Sequence, residues 1–180
     1  TYTGSTNINT GSLTVTGSLS DSTAVTVASG ATYNVNASDT IGSIAGAGTV
    51  NIASSQTLTA GGAGDTTFSG ALTGSGALTK VGSSTLTLSG SSSSYTGAIT
   101  VSNGVLAASN SDALGTSAGG VTISDGAQLS LSGGITIVDA VSVTGSGISS
   151  TGAILNTSGN NTISGLMTMT GASTIGSTSG

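Results

Sequence analysis

Short segments in which an aliphatic side chain alternates with threonine or serine recur along the whole chain. They include LTVTG from Leu13, VTVASG from Val25, TVNI from Thr49, LTLSG from Leu86, ITVSNG from Ile99, VTISDG from Val121 and VSVTG from Val141. Alternation with period two predicts a strand with one buried face. Val, Ile and Thr suit a pleated surface because their branched Cβ atoms are stiff there. Several segments close on glycine after a small polar residue, as at Thr10-Gly11, Ser29-Gly30, Asn103-Gly104 and Asp125-Gly126. Glycine takes positive φ without steric penalty, so each dipeptide predicts a bend. Landmark glycines at 11, 30 and 48, and again at 104, 126 and 147, lie 18 to 22 residues apart.

A longer repeat overlies this rhythm. YTGSTNINTGSLTV from Tyr2 aligns with YTGAITVSNGVLAA from Tyr95, an offset of 93. VTVASGATYNV from Val25 aligns with VTISDGAQLSL from Val121 at 96, and GDTTFSG from Gly64 with GNNTISG from Gly159 at 95. The chain therefore reads as one continuous segment built of two super-repeats, approximately 1–94 and 95–180. It starts at a mid-motif TYTG and stops at STSG, which predicts a window in a longer array.

Two all-β architectures fit the strands. Asn-Gly between alternating segments is a hairpin signal and suggests an antiparallel sandwich. In a solenoid, each residue stacks on its counterpart one coil away, and like sits over like. Here like recurs at about one coil, which favours a parallel β-solenoid of about nine coils of roughly 18–22 residues. One coil cannot bury its own inner face; stacking buries it and pairs the backbone groups between coils. Nine coils at about 4.8 Å each give a rod of about 40–45 Å.

Composition narrows the function. The chain has 180 residues, one Lys, six Asp, and no Arg, Glu, His, Cys or Pro, for a formal charge of −5. Charged residues are 4 %, so the surface must be Ser, Thr, Asn and Gly. Nucleic acid as a partner is excluded, because Lys80 alone cannot neutralise phosphates. No apolar run approaches the roughly 20 residues of a helical membrane span. No segment reads as a signal peptide. The lack of cysteine has two readings, chance in a biased composition or export in an unfolded state through an oxidising compartment.

Residues 74–109, GSGALTKVGSSTLTLSGSSSSYTGAITVSNGVLAAS, resemble the autotransporter-associated β-strand repeat. The pattern falls on Gly74, Gly76, Leu78, Lys80, Gly82, Thr85, Leu86, Leu88, Gly90, Tyr95, Thr96, Gly97, Gly104 and Leu106. Residues 2–16 carry its second half again, with Tyr2, Gly4, Gly11 and Leu13. At 165–180 the first half is degraded, with Ile175 where Lys80 would recur. The resemblance implies a right-handed parallel β-helix from a type V secreted passenger region of a Gram-negative bacterium. It also implies an extracellular or outer-surface location, and an outer-membrane barrel in the full-length parent.

Candidate chemistry is sparse. General acid–base catalysis needs a positioned titratable group, and only Asp21, Asp39, Asp65, Asp112, Asp125, Asp139, Lys80 and three tyrosines are present. Asp112 and Asp125 lie about half a coil apart, so a carboxylate pair is conceivable, but nothing marks the defined separation that glycosidases require. Without His or Cys there is no Ser–His or Cys–His system. GGAGDTTF at 61–68 is similar to a calcium-binding solenoid repeat, but Asp65 comes one position early and its counterpart is Asn160. GSIAGAG at 42–48 matches a phosphate loop only superficially, since no helix pattern follows. No catalytic, cofactor-binding or metal residues are therefore assigned, and the chain reads as a non-enzymatic structural or adhesive rod element, a spacer or fibre segment.

Further expectations follow from these residues. Leu86, Leu88, Ile99, Val101, Val121 and Ile123 should be buried, and Thr85, Thr87, Thr100 and Thr122 more exposed. Lys80 and all six Asp should lie outside or at bends and not converge in a pocket, since an unpaired buried charge is very costly, and Lys80→Ala should leave folding largely intact. Tyr2 and Tyr95 should cover the end of an apolar stack with their hydroxyls in water. Four Thr-x-Thr triplets, at 14, 57, 85 and 168, raise an alternative function, an ice- or carbohydrate-binding solenoid using Thr, Ser and Asn ladders. Their spacing is not one coil, so they need not share a face. The expected partners are neighbouring repeats of the same protein, through end-to-end or lateral self-association. No residue pattern specifies a host or surface ligand.

Overall fold

The computed structural model describes residues 4–178. Tyr2, with the rest of the opening TYT, lies outside these described residues. The chain winds as a right-handed parallel β-helix of about nine turns. Every pair of neighbouring strands is parallel, and the described residues hold one 3₁₀ turn, Ile148–Ser150, and no α-helix.

Three faces account for the coil. Sheet A has nine strands, from Thr6–Ile8 and Ala24–Val27 to Ile154–Ser158 and Ile175–Ser177. Sheet B has four, ending at Ala71–Gly74. Sheet C has seven, from Asp39–Ile41 through Ala77–Lys80, Ile99–Val101 and Val121–Ile123 to Met167–Ser173. Asn103-Gly104 is the corner between Ile99–Val101 of sheet C and Gly104–Ala108 of sheet A, so no hairpin forms there.

Inward columns follow the alternation. Leu86, Leu106, Leu129 and Ile154 stack in sheet A, and Leu78, Ile99, Val121 and Val141 in sheet C. All six aliphatic residues expected inside are buried, and the four threonines beside them are half-buried or exposed.

Coils lengthen toward the C-terminal end. Leu106 pairs with Leu129 and Leu129 with Ile154, offsets of 23 and 25 residues, beyond the 18–22 expected. The additional residues form turns around 110–120 and the 3₁₀ turn. Beyond Gly74 the third face is irregular. Tyr95 bridges to Gly74 in place of a strand, and further on Thr136–Ile137 pairs with Thr162–Ile163.

The longer repeat is not a whole number of coils. Thr6–Ile8 lies in sheet A, whereas its counterpart Ile99–Val101 lies in sheet C. The alternating segments carry no feature that ties them to one face, so equivalent sequence serves either.

Candidate functional site

Two polar residues of the motif, Lys80 and Tyr95, face inward. In Ala77–Lys80 the alternation that buries Leu78 also turns Lys80 inside, with 0 % of its surface exposed. This corrects the expectation that it lies outside. Its Nζ donates to the carbonyls of Val81 at 2.8 Å, Gly82 at 3.0 Å and Asn103 at 3.3 Å. Three acceptors match the three protons of an ammonium, so the backbone replaces its water. Burial lowers the Lys80 pKa, and Asp65 partly opposes the shift. Glycine makes the space, since a Cβ at Gly61 would lie 2.6 Å from Lys80 Cδ and one at Gly104 2.9 Å from Nζ.

Tyr95 is also fully buried, a second correction. Its hydroxyl donates to Gly76 O at 2.8 Å, one coil back, instead of meeting water. A Cβ at Gly97 would sit 1.8 Å from Gly76 O and 2.6 Å from the Tyr95 hydroxyl. Burial raises the Tyr95 pKa, so the hydroxyl stays a donor. Lys80 and Tyr95 thus tie adjacent coils together in both directions.

The aspartates divide. Asp21, Asp65, Asp112 and Asp125 are exposed, as expected. Asp65 accepts the Thr85 N–H at 2.7 Å and Asp112 the Ser91 hydroxyl at 3.0 Å, which are turn and cap roles. Asp39 is buried within the strand Asp39–Ile41, against expectation, and Asp139 lies at a bend, as expected, but is buried there. Asp39 accepts the Leu19 N–H at 3.1 Å and the Tyr33 hydroxyl at 3.2 Å, and burial together with this carboxylate raises the Tyr33 pKa. Asp139 has no hydrogen-bond partner for either oxygen. Burial pushes its pKa up, opposed only in part by the nearby N–H dipoles of its own residue and Gly120.

Two hollows open on the outer face of sheet C. One of about 240 Å³ is lined by Ser18, Asp21, Ser38, Asp39, Thr40 and Thr57, among others, so two aspartates do converge there. The other, of about 270 Å³, lies toward the far end beside Thr122, Ser142 and Leu166. Between them runs a ladder of the expected kind, Thr40, Thr59, Thr79, Thr100, Thr122, Ser142 and Thr168, one per coil, although its members could not be named from the sequence. The Thr-x-Thr triplets themselves scatter over all three sheets. The signal was one Thr or Ser in each sheet C strand, at a position that lines up only once the coils are in register. On sheet B, Thr14, Asn34, Asn51 and Thr73 form a hydrogen-bonded side-chain ladder.

Among the described residues no group of three or more acidic side chains is arranged to hold a metal ion. Tyr33, Phe68 and Tyr95 are buried, so none offers a ring as a sugar platform.

Parallel rungs, glycine corners and buried inter-coil ties define a repeat-built parallel β-helix. The passenger-associated-transport-repeat family model matches residues 1–15 and 78–108, and the second stretch contains Lys80, Tyr95, Gly97 and Gly104. Match and fold together fit an autotransporter passenger repeat. No curated protein and no solved structure matched the chain.

Proposed function

We propose that the chain is a non-enzymatic, extracellular spacer or adhesive rod segment of a Gram-negative surface protein, which sets how far a distal region projects. The observation that carries this reading is the continuity of sheet A, whose nine rungs run from Thr6–Ile8 to Ile175–Ser177. A rod stacked in this way lengthens coil by coil without rearranging what precedes it. The passenger-repeat match supports a secreted or surface location, and a membrane barrel is proposed elsewhere in the parent protein.

Neighbouring repeats are the proposed partners. Leu166, Met169 and Ile175, all near the last coil, are exposed, and apolar surface there favours stacking of further coils or of a second rod. The ladder on sheet C favours a second reading, a water-ordering face. Thermal hysteresis that is lost in Thr100→Tyr/Thr122→Tyr would support it.

The spacer role is tested in a surface-displayed rod with an epitope tag at its distal end. Duplicating residues 66–105, two whole coils, should raise the tag by about 10 Å while leaving display intact. An unchanged height with intact folding would contradict the spacer role.

A further inference from the structure

We infer that Asn103-Gly104 is a self-modifying junction, at which the Asn103 side chain closes onto the Gly104 nitrogen and loses ammonia, with Lys80 promoting closure and then pairing with the carboxylate formed. Asn103 is exposed, and its Oδ1 accepts the Gly104 N–H at 2.6 Å, which holds the side-chain amide against the nitrogen that would attack it. Gly104 has φ 68 and no side chain to obstruct the approach. It is the one Asn-Gly pair in the sequence. The Lys80 ammonium lies 3.3 Å from the carbonyl oxygen of the same peptide group. A cation on that oxygen withdraws electron density from the amide and makes the Gly104 N–H more acidic.

The step balances without a cofactor. Water or hydroxide takes the Gly104 amide proton, the nitrogen bonds to Asn103 Cγ, water returns a proton to Nδ2, and the Cγ–Nδ2 bond breaks as ammonia leaves. Water then opens the succinimide at either carbonyl, giving aspartate or isoaspartate at 103. All three hydrogen bonds of Lys80 go to neutral carbonyls. An aspartate at 103 supplies a counter-charge within one peptide group of it, and strengthens the tie between coils. Isoaspartate adds a backbone methylene at a corner with no room for it, where even a Cβ on Gly104 would lie 2.3 Å from Gly82 O.

The test is peptide mapping of the folded chain during incubation in mildly alkaline buffer. Asn103 should convert roughly tenfold faster than Asn110, and at least as fast in the folded chain as in urea. Asp125-Gly126 occupies the corresponding corner one coil on, without a lysine, and serves as the internal control for isomerisation. Lys80→Met should slow conversion several-fold. Since that variant can fail to fold, Asn103→Asp is measured too, and its unfolding midpoint at neutral pH should exceed that of the unmodified chain. Faster conversion in urea than in the fold, or no upward shift for Asn103→Asp, overturns the inference.

Discussion

Lys80 and Asp139 both stand two residues from an inward position and are buried, Lys80 within a strand and Asp139 at the bend between Thr136–Ile137 and Val141–Gly145. The two differ in what they meet there. Lys80 finds three carbonyls, so Lys80→Ala leaves buried acceptors unpaired and opens a cavity. A loss of about 2–5 kcal/mol is expected, read from urea unfolding, where the sequence alone suggested tolerance. Asp139 makes no hydrogen bond with either oxygen, and burial outweighs the nearby N–H dipoles, so its folded pKa lies above the ordinary value of 3.8. Its favourable contribution is therefore complete below the unfolded pKa and disappears as pH rises through the folded pKa. The chain should be more stable in mild acid than at neutral pH, and Asp139→Asn should flatten that dependence and raise the neutral midpoint. A flat profile in the unmodified chain would sink this account.

At the scale of the element, the motif is a device for register. Tyr95→Phe removes the bond to Gly76 O and should cost about 1–2 kcal/mol. Gly97→Ala forces a methyl into that same oxygen and should cost more than Tyr95→Phe, measured in paired denaturant titrations. Strands and corners were legible in the sequence because alternation and glycine report local backbone geometry directly. The inward place of Lys80, Asp39 and Asp139 was equally written in the alternation, in ALTK, in SDTI and in ITIVDAVSV. A general rule against buried charge overrode it, because partners such as Asn103 O for Lys80 and the Leu19 N–H for Asp39 come from a neighbouring coil and cannot be seen in one strand. Ladders of Thr, Ser and Asn were expected, but which residues form the one on sheet C was hidden for a related reason. Its members are 19 to 26 residues apart, and the spacing varies with each corner.

For the whole molecule, the decisive claim is that successive coils stack in parallel, so that a residue meets its counterpart from the next coil and not its near neighbour across a turn. The chain has no cysteine, so introduced pairs can be read cleanly. Thr100 and Thr122 are paired neighbours on sheet C, about 4.8 Å apart and within disulfide reach. An antiparallel hairpin about Asn103-Gly104 would instead set Thr100 opposite Ala107, which here lies on sheet A. Mild oxidation should close the disulfide in Thr100→Cys/Thr122→Cys and leave Thr100→Cys/Ala107→Cys with free thiols. The reverse pattern would contradict the stacked solenoid.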